Sequence, residues 1–192
     1  MINIINKEVE KAAKILSSGG VIVYPTDTVW GLGCDATNEA AIKNIYKIKQ
    51  RNSSNPMLCL LNHSSMLEKY LTSVPKQSRE ILEKALSPTT IIYNHSINIS
   101  KLLTGENDSI GFRVVDNEFC KKIIKKLGKP IVSTSANLSG EPTAYNVKEI
   151  NTKILKQVDY VVNLPSANSC NSTSSIIKIN FCLLYTSDAA DE

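Results

Sequence analysis

Runs of apolar residues with strand spacing alternate along this chain with longer stretches whose apolar positions recur three or four apart. Val9, Ala12, Ala13 and Leu16 fall at i, i+3, i+4 and i+7, predicting an amphipathic helix capped by Asn6 and ended by Gly19. Val21 to Tyr24 is a short apolar run between glycines and a proline, which suits a buried strand. Pro25 has no N–H to give a ladder and should stop it. A loop from Pro25 to Asp35 is expected next, then a helix capped by Asn38. Its apolar stripe is Ile42, Ile45 and Ile48 or Tyr46, leaving Lys43, Lys47 and Lys49 toward solvent or a ligand.

Met57 to Leu61, Thr89 to Tyr93 and Ile110 to Val115 read as further strands. Val74-Pro75 precedes a helix carrying Ile81, Leu82 and Ala85, and a later helix places Phe119, Cys120, Ile123, Ile124 and Leu127 inside and ends at Gly128. Ile131-Val132 leads into a hydroxyl-rich loop running to Gly140. A helix near Asn146 to Leu155, a strand at Tyr160 to Leu164, a Ser/Asn-rich loop from Ser166 to Thr173 and a strand at Ser175 to Ile179 complete the pattern. No internal repeat is visible. Several strands follow one another without a crossover helix, so an α/β fold on a mixed sheet is predicted rather than a purely parallel one.

Composition changes little in this picture. The 192 residues, 42% apolar and 21% charged, suit one globular domain with a sizeable core. No apolar stretch approaches the roughly 20 residues of a membrane span, and the polar N-terminus lacks a signal-peptide core, so a cytoplasmic protein that does not engage membranes is expected. The cysteines (Cys34, Cys59, Cys120, Cys170, Cys182) form no C-x-x-C pair, and with only His63 and His95 beside them neither a zinc site nor a disulfide framework is indicated. Residues 182–192 break the Lys/Ile/Asn-rich style of the rest and resemble a translated adapter. The domain is therefore read as 1–181, with 182–192 a non-native tail.

Charge is more informative. The net +4 is carried by nineteen lysines and three arginines, a mild basic excess that suits phosphate-bearing partners without requiring them. In so lysine-rich a chain, Arg51 and Arg113 either mark places that need a planar, bidentate donor or fall there by chance. Lys49-x-Arg51 with Asn55 offers an ammonium, a guanidinium fork and an amide for phosphate oxygens, or is simply a solvated helix end favoured by the helix dipole. Ser135-Ala136-Asn137 presents a hydroxyl and an amide past a buried strand, or an ordinary turn. Arg113, inside a β-rich run, points to solvent or faces an anion. The stretch from Pro25 to Asp35 is a ligand loop or a structural turn. No glycine-rich phosphate loop, dinucleotide fingerprint or Ser/His/Asp arrangement is present.

Taken together, Gly20 to Asp35, Lys49-x-Arg51 with Asn55-Pro56, Arg113, Ser133 to Pro142 and Ser174-Ser175-Ile176 resemble the YrdC-like family of threonylcarbamoyladenylate synthases, in its short single-domain form. The resemblance covers about residues 7–179. It departs at Trp30, where the family usually has Tyr, at Asn52, where Pro is frequent, at Leu60, where His is frequent, and at the shortened turn Ser87-Pro88. A late arginine expected past Ile179 is missing.

The resemblance implies a YrdC-like fold: a twisted mixed sheet flanked by helices, with a concave, positively charged ligand cleft. It implies conversion of L-threonine, bicarbonate or CO2 and ATP into threonylcarbamoyl-AMP and pyrophosphate, for the t6A modification of tRNA. Thr28, Arg113, Ser135 and Ser174 would hold threonine. Lys49, Arg51, Asn55, Ser109, Asn137 and Tyr145 would line the ATP side, with Lys49 and Arg51 neutralising charge in catalysis. Mg2+ is expected on the ATP phosphates without direct protein ligands. A threonylcarbamoyl-transferase complex is the expected downstream partner, and tRNA a further one. Two other readings stand beside it: a non-catalytic module binding double-stranded RNA through phosphates and shape, and adenylation using carbamoyl phosphate, as in hydrogenase maturation proteins. The second lacks its accompanying acylphosphatase-like and zinc-finger segments.

Overall fold

The computed structural model describes residues 2–165 and 174–179. The loop read at 166–173 and the tail read at 182–192, with Cys170 and Cys182, lie outside those residues. In chain order the elements are α1 (Ile2–Ser17), β1 (Ile22–Pro25), β2 (Trp30–Gly33), α2 (Glu39–Lys49), β3 (Leu58–Leu61), α3 (Leu67–Tyr70), α4 (Lys76–Lys84), β4 (Thr89–Tyr93), β5 (Ile110–Val114), α5 (Glu118–Leu127), β6 (Ile131–Ser135), α6 (Thr152–Leu155), β7 (Tyr160–Val161) and β8 (Ser175–Lys178), with short 3-10 turns between some of them. The strands form one sheet in the order β7-β1-β2-β6-β3-β5-β4-β8. The β1–β2, β2–β6, β6–β3 and β5–β4 pairs are antiparallel, whereas β1–β7, β3–β5 and β4–β8 are parallel. The mixed sheet is the one that consecutive strands without crossovers predict.

Alternation along the strands divides the core. Val21, Val23, Trp30, Leu32, Cys59, Leu61, Phe112 and Val132 join the buried stripe of α2 on one face, together with Leu67 and Tyr70 of α3 and Ile154 of α6. Ile22, Tyr24, Leu60 and Ile131 face the other way and meet Val9, Ala12, Ala13 and Leu16 of α1 and Phe119, Cys120, Ile123 and Ile124 of α5. Burying such side chains is worth ~1.5–3 kcal/mol each, which is what holds helices of modest length on a sheet. The apolar stripes and the helix-ending Gly19 and Gly128, both at positive φ, are where periodicity placed them. Asn38 caps α2 through Ala41 N, as expected.

Several boundaries differ. Helix α1 begins at Ile2, so Asn6 is not its cap; Asn6 lies on the face toward α5, and its Oδ1 accepts from Lys122 Nζ at 2.9 Å. Pro25 is the last residue of β1, opposite Trp30, and the expected loop to Asp35 is a tight hairpin whose return strand is β2. The glycines that look like loop residues have another cause. A Cβ on Gly33 would come within 2.4 Å of the Val132 carbonyl oxygen and 2.8 Å of the Tyr24 ring, so only glycine lets β2 lie against β6 here.

Ser133 to Ser135 belong to β6 rather than to a loop, because they pair with β2 and β3, and they border a cavity. The helix expected at Asn146 to Leu155 is broken into a 3-10 turn and the single turn α6. Asn146 and Asn151 side chains capture the N–H groups of Lys148 and Lys153 and start a new turn each time. The strand expected to reach Leu164 shortens to β7, where Asn163 N turns aside to the buried Glu8 Oε2 at 2.8 Å. Among the described residues no helix is long and apolar enough to cross a membrane.

Gly33→Ala should lower stability by ~1–3 kcal/mol, the usual cost of forcing a methyl into a packed site. Urea unfolding followed by the fluorescence of Trp30 measures it, and an unchanged midpoint would show that β2 and β6 part without cost.

Candidate functional site

Helices α1 and α5 cover only part of their sheet face. On the remainder the same alternation that points Leu60 and Ile131 at the helices turns Thr90 and Ile92 of β4, Gly111 and Arg113 of β5, Leu58 of β3, Ser133 of β6 and Gly31 of β2 to that same side. These residues floor a cavity of about 570 Å³. Glycine at positions 31 and 111 puts no side chain on that floor. Thr26, Thr28 and Val29 of the hairpin turn, Thr134 and Ser135 of β6, Ser109, Ser174, Ile176, Arg51, Pro56 and Met57 form its walls.

The hairpin wall is rigid. Thr26 Oγ1 donates to Val29 O at 2.7 Å and accepts from Thr28 N at 3.0 Å and Val29 N at 3.2 Å. Thr28 Oγ1 lies 3.0 Å from Thr26 Oγ1. Either hydroxyl can be the donor of that pair. On the opposite wall the hydroxyls of Thr90 and Ser174 meet at 2.8 Å. Two cations reach the cavity. Arg51 follows Gln50, whose left-handed backbone ends α2, and its Nε and Nη2 donate to the carbonyls of Asn55 and Pro56 at 3.0 and 3.1 Å. Arg113 is buried, and Nη2 stands 3.0 Å from Oδ1 of the equally buried Asp27. That contact is charge proximity without hydrogen-bond alignment, since neither Asp27 Oδ1 nor Arg113 Nε has a hydrogen-bond partner. Asp27 Oδ2 accepts from Asp116 N at 3.1 Å.

The structure therefore brings Thr28, Arg51, Ser109, Arg113, Ser135 and Ser174 to one cavity. Arg113 is not turned to solvent. Lys49, Asn55, Asn137 and Tyr145 are not part of its lining. Lys49, which the helical stripe left toward solvent or a ligand, is only 2% exposed, and Nζ donates to the backbone carbonyls of Ser135 at 2.5 Å and Asn137 at 2.6 Å. Its partners are the end of β6, across the sheet, which no periodicity within α2 can register. Ser139 N returns a bond to Lys49 O at 3.0 Å. Asn55 contributes its carbonyl to Arg51, and Asn137 Nδ2 donates to Leu138 O and Glu141 O while its buried Oδ1 has no partner. Tyr145 is 44% exposed.

Sequence reasoning missed Asp27, Thr90, Gly111, Ser133 and Thr134. The density of hydroxyls at positions 133–135 hinted at Ser133 and Thr134, and the reading of Pro25 to Asp35 as a ligand loop covered Asp27 without singling it out. Cys34, Cys59 and Cys120 are buried, and burial pushes their thiols well above the ordinary range, so they stay neutral.

Chemically, the cavity joins two guanidinium groups to a dense set of hydroxyls, with no carboxylate among its described lining residues, a combination suited to a small anionic ligand. Among the described residues no three His, Cys, Asp or Glu side chains group to hold a metal.

Comparison with known proteins identifies the family and the fold. The Sua5_yciO_yrdC family, described as "Telomere recombination", matches residues 14–183. A Pseudoalteromonas translucida protein named threonylcarbamoyl-AMP synthase is 35% identical over 170 residues, 87% of this chain and 90% of the relative. The crystal structure of E. coli YciO superposes with a TM-score of 0.77 at 26% identity, covering 89% of this chain and 83% of that one. P. abyssi Sua5 complexed with L-threonine shares the fold, with a TM-score of 0.81 at 24% identity over 89% of this chain, which spans 50% of that protein.

Burial, and next the Arg51 guanidinium beside it, lowers the Lys49 ammonium from an ordinary value near 10.5 to about 8. Below pH 8 both folded and unfolded chains hold this proton. Between about 8 and 10.5 the folded chain sheds it while the unfolded chain keeps it, so this group's contribution to stability rises with pH. Chemical denaturation of wild type and Lys49→Met across that window should show the difference moving in favour of wild type; a difference that stays flat would mean the ammonium is not held as described.

Proposed function

The chain belongs to the Sua5_yciO_yrdC family, and from that membership we propose that it is an L-threonylcarbamoyladenylate synthase, forming threonylcarbamoyl-AMP and pyrophosphate from L-threonine, bicarbonate or CO2 and ATP. The observation that carries the reading is the meeting of Thr28, Arg113, Ser135 and Ser174 with Arg51 and Ser109 around one cavity large enough for a small substrate and part of a nucleotide. A partly enclosed cavity with hydroxyl walls serves a small molecule better than an RNA duplex, so the RNA-binding reading is not favoured.

In this scheme the threonine carboxylate pairs with Arg113, and the hydroxyls of Thr28, Ser135 and Ser174 orient the amine and the side chain. Thr28, held beside Thr26 Oγ1, presents its hydroxyl to the substrate. The amine captures CO2 and loses a proton, giving an N-carboxylate. That carboxylate attacks the α-phosphorus of ATP, and the bond to pyrophosphate breaks. No side-chain nucleophile is required. Catalysis comes from alignment and from neutralising phosphate charge.

Arg51 and Ser109 would face the nucleotide, and Asn55, Asn137 and Tyr145, which do not line the cavity, would act only from outside it. Lys49 serves the same side by holding the backbone of Ser135 and Asn137. Mg2+ would come as a companion of the triphosphate, since the described lining residues offer hydroxyls rather than carboxylates. Bound there, it would shield the charge that develops on the leaving pyrophosphate. The product is a reactive mixed anhydride, for which a threonylcarbamoyl-transferase complex acting on tRNA in the cytoplasm is the expected consumer.

Pyrophosphate release measured with ATP, bicarbonate and one amino acid at a time should depend on threonine. Release indifferent to the amino acid, or supported by carbamoyl phosphate in its place, would sink the assignment. Arg113→Lys removes a charge-assisted, fork-shaped contact worth ~1.5–3 kcal/mol, so the KM for threonine should rise roughly ten- to a hundredfold while that for ATP changes far less.

A further inference from the structure

Asp27 lies in the hairpin turn between β1 and β2, behind the cavity wall rather than in it. Thr26 and Thr28 on either side line the cavity, but the Asp27 carboxylate is turned inward, with a side chain only 6% exposed. Two things fix it there. The Thr26 hydroxyl holds the turn through the N–H groups of Thr28 and Val29 and the Val29 carbonyl. Asp116 N, in the segment leading into α5, donates to Asp27 Oδ2 at 3.1 Å. The remaining oxygen faces the Arg113 guanidinium at 3.0 Å from Nη2. Arg113 carries a flexible stem, and among the described residues Asp27 is its ion-pair partner.

We propose that Asp27 is a positioning residue for Arg113: it sets where the guanidinium lies under the cavity and offsets its buried charge, so that Arg113 meets the ligand carboxylate in one orientation. The inference rests on the functional reading above, in which Arg113 takes that carboxylate.

The geometry of the pair supports positioning over simple stabilisation. A buried ion pair that served stability would complete its hydrogen bonds, since desolvating both charges is costly otherwise. Here Asp27 Oδ1 has no aligned donor, and Arg113 Nε has no acceptor. The carboxylate therefore holds the guanidinium by charge, with no aligned hydrogen bond locking the pair. Asp27 keeps its place through Oδ2 and the turn, so it can fix Arg113 without closing around it.

The test is a kinetic cycle on the full chain. Asp27→Asn keeps the shape and an acceptor for Asp116 N but removes the charge. It should raise the KM for threonine about tenfold and leave the KM for ATP within about twofold, the signature of a lost binding contact. In an Arg113→Met background the same substitution should change threonine KM little, because the two act as one unit. Asp27→Glu, which restores the charge, should recover part of the loss, and melting temperature with near-ultraviolet circular dichroism identifies variants that are folded.

A folded Asp27→Asn with unchanged threonine KM overturns the inference, as does an equal rise in both KM values or full additivity with Arg113→Met. Failure of the wild-type protein to release pyrophosphate in a threonine-dependent way overturns the functional reading itself, and the inference with it. That outcome appears before any variant is compared, so the two failures are told apart.

Discussion

The site depends on how one buried ammonium is satisfied. Lys49 sits at the last turn of α2, in a place from which water is excluded, and its Nζ finds the carbonyls of Ser135 and Asn137. Left without them, a buried charge would cost far more than the fold could offset. With them, the C-terminus of α2 is joined to the end of β6, and Ser139 N closes the junction from the other side. Arg51, two residues on, is thereby carried to the mouth of the cavity, and Ser135 to its wall. One cation, hidden from the ligand, sets the positions of groups that face it.

The second constraint is the unequal covering of the sheet. Helices α1 and α5 bury the β1 end of one face with a continuous apolar stripe. The rest of that face mixes glycine and hydroxyl residues with Leu58, Ile92 and Arg113 and is covered by no helix, which leaves a cavity. The opposite face is closed by α2, α3 and α6. Stability thus comes from one face and half of the other, while the open half is free to hold a ligand. The close passage of Gly33 under the Val132 carbonyl keeps β2 flat against β6, so that the hairpin turn stands directly beside the cavity.

Electrostatics inside the site follow the same division. Arg113 carries a charge into a region that burial makes hostile to charge, and Asp27 meets it from behind. Nearby groups stay neutral: burial holds the thiol of Cys120 and the phenol of Tyr24 well above their ordinary values. The guanidinium groups of Arg51 and Arg113, one at the mouth and one on the floor, are consequently the charges an incoming anion would meet along the lining.

By itself the sequence determined the elements and the kinds of chemistry available. The stripe of α1, the cap at Asn38, the glycines ending α1 and α5 and the apolar strand runs are local signals, carried by residues within a few positions of one another. The scarcity of arginine and the density of hydroxyls at positions 133–135 were equally legible. Only the tertiary structure decided which residues meet. Lys49 and the Ser135 carbonyl are 86 positions apart, and their contact exists because the sheet order sets β6 beside the end of α2. Asp27 reads in sequence as one more polar turn residue, and becomes the partner of Arg113 only when β5 runs beneath the β1–β2 turn. The physical reason is the range of the forces. Helix and strand periodicity is written by backbone hydrogen bonds over short spans, whereas a buried charge takes whichever partner the assembled sheet brings within reach.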